Sequence, residues 1–165
     1  CAGLLGVAKV ARRLRRQVPG RLGLCGMAIV IVGAGVVAER GAARLIGLTS
    51  AILAAFLGLG DFGALDTFLS YLAVGVATDL ALWLMGSPEN LAVAPLAGAT
   101  GHFGKFLVKW ALAGVLGAPM GFVALGLLKS IVSYLVFGAL GGFLGALTLA
   151  ALRRAGFFAY LAERK

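Results

Sequence analysis

The sequence predicts an all-α protein, a polytopic transmembrane helical bundle of about six helices that forms a single domain over residues 1–165. Three observations carry that prediction. Hydrophobic residues make up 61% of the chain and charged residues 13%, a balance that a soluble domain of this length cannot bury. Apolar runs of helical length follow one another, separated by short breaks that hold glycine, proline or charge. The run from Ile131 to Leu152 has 22 residues without a charge and is closed by Arg153 and Arg154. As a helix it extends about 33 Å, enough to cross the hydrocarbon of a bilayer.

Taken in order, residues 1–11 are apolar and small, with Ala2 and Gly6 four apart, and are expected to be the remnant of a first helix whose upstream part is missing. Residues 12–21 hold five arginines and a Pro19-Gly20 turn that redirects the chain. Leu22 to Ala38 is the first complete span, followed by a polar turn at Glu39-Arg40-Gly41 and Arg44. Leu45 to Gly60 is the second, and the DFGALD connection at 61–66 suits a turn or a helix start. The third span, Thr67 to Gly86, carries an Ala73-Ala77-Ala81 ladder at i, i+4, i+8, with Asp79 off that face. Ser87-Pro88-Glu89-Asn90 breaks the chain before a fourth apolar region from Leu91 to Gly117. After a turn at Ala118-Pro119-Met120-Gly121, the last helix runs from near Val123 to Leu152. Its Gly138–Gly142 and Gly141–Gly145 pairs form small-xxx-small faces that let another helix approach closely in lipid.

Counting 91–117 as one helix gives five complete spans plus the partial first, whereas splitting it at Gly101–Gly104 gives six short ones. The single helix is preferred, because halves of about 15 residues would barely cross a bilayer. Arg153, Arg154, Arg164 and Lys165 favour a cytoplasmic C-terminus, which puts the arginine-rich 12–16 segment outside, against the positive-inside tendency. The formal charge of +9 comes from 15 basic and 6 acidic residues. The basic residues sit largely at segment ends, so membrane orientation accounts for them better than nucleic acid does. Cys1 and Cys25 lie in or beside apolar sequence and read as small packing residues rather than a redox pair.

His102, Lys105 and Lys109 fall at i, i+3 and i+7 on one helical face, and Asp79 is a plausible counter-charge. Ionisable groups at membrane depth face a cavity, a polar partner or the protein interior. Ser130 and Tyr134 share a face where the last helix begins. These six residues are the candidate solute-binding set. The plainer reading has the lysines snorkelling from segment ends and His102 bonding a neighbouring helix. No nucleophile–histidine–acid triad or metal cluster is visible, so neither an enzyme nor a metal site is expected. With no GxxxxGK[ST] pattern, any ATP-driven step must come from another subunit.

VPGRLG (18–23), GAARLIGLTSAILAAFLG (41–58), YLAVGVATDLALWL (71–84), GHFGKFLVKWALAGVLGAP (101–119) and VFGALGGFLGAL (136–147) together resemble the substrate-binding S component of energy-coupling factor vitamin transporters. That resemblance implies a multi-pass protein of the prokaryotic cell (inner) membrane, without a cofactor of its own. Such a component captures a vitamin-like small molecule in its outward half and works with a transmembrane T component and two ATPase subunits. Small-residue faces meet the T component in that family, which makes Ala2, Gly6, Ala73, Ala77, Ala81, Gly138 and Gly142 candidates for the partner interface. The lysines and His102 would favour an anionic or hydrogen-bond-accepting solute, whereas Asp79 and Asp66 would suit a cationic pyrimidine or thiamine-like group. The alternative is a non-transporting structural or assembly subunit of a membrane complex, in which the same faces serve permanent packing.

Overall fold

The structure, a computed structural model, describes residues 23–37, 39–58, 63–115 and 120–157, with only the backbone described for 120–125. Among these residues it is all-α, with five helices and no strand: α1 (Gly23–Val37), α2 (Ala42–Phe56), α3 (Ala64–Met85), α4 (Val93–Val115) and α5 (Met120–Arg154). Ala2, Gly6 and the expected first-helix remnant lie outside the described residues.

Helix α4 runs unbroken through Gly101–Gly104, which supports the single-helix reading of that region and overturns the six-short-span alternative. Glycine lowers helix propensity but does not end a helix held by its neighbours. Helix α2 begins at Ala42, so Arg44 lies inside its first turn rather than in the polar connection. Arginine is a good helix former, and the helical position lets it reach Asp79 across the bundle. Gly41, at φ 94°, takes the left-handed conformation that starts this helix, where a side chain would be strained.

Successive helices run antiparallel. The most extensive packing joins α4 to α5, followed by α2 on α3, α3 on α4, and α1 on α5, while α1 also touches α2 and α4. α1 lies parallel to α5: a Cβ at Gly141 would meet Leu24 O at 2.5 Å, and one at Gly145 would meet Ile31 Cβ at 2.7 Å. The two core clusters sit along these seams, one around Met27, Val30, Ala43 and Val74, the other around Ile31, Ala97, Ala146 and Leu149.

Of the small-residue faces singled out for a partner, the Ala73-Ala77-Ala81 and Gly138–Gly142 faces meet other helices of this chain. Gly138 and Gly142 are buried, with α4 backbone at Gly98, Ala94 and Pro95 against them. Ala73 and Ala77 lie against Gly104 of α4, and Ala81 is buried in the second core cluster. Small side chains let helix backbones meet, and here the nearest backbones are the chain's own.

Helix α3 and the Gly126–Arg154 part of α5 are long and apolar enough to cross a membrane, and α1 and α2 are shorter apolar helices. The outer surface carries large apolar side chains, among them Ile29, Leu45, Leu53, Leu65, Leu84, Leu128 and Phe56, the last 89% exposed. At the end where α5 finishes, Arg153 pairs with Glu89 of the α3–α4 connection. Both ends of this pair reach solvent, so Glu89→Gln is expected to change stability by less than about 1 kcal/mol, read as an unchanged melting midpoint in detergent.

Candidate functional site

Helix α3 is covered by α2 on one side and α4 on the other, which buries polar residues that its composition alone would place on a surface. Asp66, Ser70 and Thr78 stand at i, i+4 and i+12 and are all buried, Asp66 to 3% exposure and Thr78 to 0%. Asp66 lies in the first turn of α3, where the positive end of the helix dipole favours a carboxylate. Ser70 Oγ donates to Asp66 Oδ1 at 3.2 Å, while Oδ2 lies 3.8 Å from Lys109 Nζ on α4, beyond hydrogen-bond range. Asp66 Oδ2 and Thr78 Oγ1 have no hydrogen-bond partner among the described residues.

The facing surface comes from α4 and α5. His102, 2% exposed, stacks on Tyr134 with ring centroids 4.7 Å apart and planes at 30°. Phe106, one turn along α4, is tilted against the same tyrosine at 5.6 Å. The backbone closes tightly around this layer. A Cβ at Gly23 would overlap the His102 imidazole, and one at Gly101 would overlap Thr78 Oγ1 and come within 2.9 Å of Met27 Cε. Polar and aromatic groups of α3, α4 and α5 therefore gather around the start of α1. From His102 to Lys109 this interior extends about 10 Å along α4, toward the Asp66 end.

The expected solute-binding residues separate into distinct places. His102 and Tyr134 meet directly. Lys105 sits with Nζ 4.4 Å above the ring of Tyr71 on α3, a cation–π contact, and Lys109 approaches Asp66. Ser130 is half-buried one turn before Tyr134 on α5. Asp79 is elsewhere. Its Oδ1 accepts the Gly41 amide at 3.0 Å and its Oδ2 pairs with Arg44 Nε at 2.7 Å, at the opposite end of α3 from Asp66. It pins the α1–α2 connection to α3 and is not the counter-charge of His102, Lys105 and Lys109.

Asp79 also lines an open cleft of about 660 Å³, bounded by Gly35, Arg40, Val76, Trp83 and Pro88 among others. The cleft is the roomier feature, but its Asp79 and Glu89 carboxylates are already paired with arginines. The buried layer carries the unmet polar groups and is the stronger candidate site. Ser70 and Thr78 were not among the expected site residues, and Asp66 was named only as an alternative acid for a cationic solute. Spacing from Asp66 in multiples of four was the available signal, one that the adjacent alanine ladder overshadows. No group of three or more His, Cys, Asp or Glu that could hold a metal occurs among the described residues. Comparison with family models, curated proteins and solved structures finds no match to this chain.

Proposed function

We propose that this chain is the membrane-embedded substrate-capture subunit of an ATP-driven uptake transporter for a vitamin or vitamin precursor, seated in a prokaryotic cell membrane as a multi-pass bundle. A transmembrane T component and two ATPase subunits supply the energy, as the resemblance to S components implies. The observation that carries this reading is the polarity of the bundle. Its outer face is apolar, whereas Asp66, Ser70, Thr78 and His102 are buried inside. Ionisable and polar groups held at membrane depth are expensive and mark solute or ion paths. α5, 35 residues long, reaches about 52 Å and exceeds the hydrocarbon thickness, so it tilts or extends into the interface with Arg153 and Arg154.

A structural or assembly subunit is the competing reading, and the glycine-lined contacts favour it to the extent that they show a chain built for close packing. Those contacts are internal to the chain, and close packing leaves the orphaned Asp66 and Thr78 oxygens unexplained. Native mass spectrometry of the purified protein, released from detergent, tests the choice. A retained small molecule is expected, and His102→Ala is expected to remove it by taking away one face of the ring stack. A protein that carries no solute and copurifies only with non-transport subunits establishes the assembly reading instead.

A further inference from the structure

We propose that Asp66 is the group that receives the solute, and that the solute offers it a cationic or amino nitrogen; this rests on the capture reading above. Two buried oxygens of α3, Asp66 Oδ2 and Thr78 Oγ1, lack a hydrogen-bond partner among the described residues; they stand about 18 Å apart along the helix, and only the aspartate is charged. A carboxylate oxygen accepts and cannot donate, so its missing partner is an N–H, an O–H or a positive charge. The basic side chains, by contrast, are engaged. Lys105 rests over Tyr71, and the Lys109 ammonium lies toward Asp66. An anionic solute would have to draw both away and leave a buried carboxylate without a cation. A cationic solute meets the acceptor already present.

Lys109 stands where that cation would sit. At 3.8 Å its ammonium balances the charge of Asp66 from beyond hydrogen-bond range of that carboxylate, and its side chain is 19% exposed against 2% for that of Asp66. The lysine can withdraw along its flexible stem toward solvent, whereas the aspartate is fixed in the first turn of α3 and held by Ser70. It is thus a tethered surrogate for the solute's nitrogen, keeping the carboxylate compensated while the site is empty.

The test measures binding of three solutes of similar size to the purified full chain in nanodiscs: thiamine as a cation, biotin as a carboxylate and riboflavin as a neutral molecule. The unaltered protein is expected to prefer thiamine. Asp66→Asn, nearly isosteric, is expected to weaken that binding about 100-fold. Lys109→Met, which removes the competing ammonium, is expected to tighten it about tenfold, and decides the matter alone if Asp66→Asn does not fold. Preference for biotin or riboflavin, full binding by Asp66→Asn, or unchanged or lost binding in Lys109→Met overturns the assignment while the capture reading stands. Binding of none of the three by a monodisperse protein overturns both.

Discussion

Gly142→Ala is expected to drive α4 away from α5 and to lower the melting midpoint by on the order of 10 °C, corresponding to about 3 kcal/mol. A Cβ on Gly142 would overlap the carbonyl oxygen of Ala94, lie 2.8 Å from its carbonyl carbon and lie 3.0 Å from Pro95 Cα. All three are backbone atoms of α4. A flexible side chain could rotate aside, but a helix backbone moves only as a unit, so one methyl group displaces the largest helix–helix seam in the fold. Gly126 on the same helix is the control. A Cβ there meets nothing within 4 Å, and Gly126→Ala is expected to be neutral or to stabilise by about 0.5–1 kcal/mol through helix propensity. Thermal unfolding in one detergent compares the two. Equal midpoints for both variants would show that α4 and α5 do not meet through Gly142.

Asp79→Ala is expected to destabilise by about 2–3 kcal/mol, because it strips partners from two groups together. The Gly41 amide loses its acceptor at the connection between α1 and α2, and Arg44 loses its counter-charge. Asp79→Asn keeps an oxygen for Gly41 and is expected to lose about half as much. Arg44→Ala is expected to lose least, since that side chain is 58% exposed and water replaces much of what the carboxylate supplied. The order Asp79→Ala, Asp79→Asn, Arg44→Ala is the readout of the melting series. An Arg44→Ala protein as unstable as Asp79→Ala would mean that the aspartate does not pin the connection. Solute retained per folded molecule is expected to stay constant across all three, which separates a structural aspartate from one that touches ligand.

Much of the site was hidden in the sequence for a definite reason. His102 and Tyr134 were singled out as polar residues within apolar segments, and the bundle brings their rings together. Asp79 and Asp66 were harder to tell apart. Both are acids at or in apolar segments, and only the partners Arg44 and Gly41 on one side, Ser70 and Lys109 on the other, distinguish them. The alanine ladder and the Gly138–Gly142 pair announced a close helix contact correctly in kind. Nothing in their spacing says whether the opposing helix belongs to the same chain.

The helices themselves were readable because hydropathy, charge and chain-breaking residues act within one segment. The run to Arg153 and Arg154, the break at Ser87–Asn90 and the continuity of α4 all follow from neighbours along the chain. Pairing of faces is a different kind of information. A helix with apolar residues on every side carries little record of which side turns inward, and a glycine face accepts any backbone of suitable shape. The tertiary structure alone therefore decided that Gly142 meets Ala94, that Asp79 meets Arg44, and that Asp66 is enclosed with one oxygen still lacking a donor.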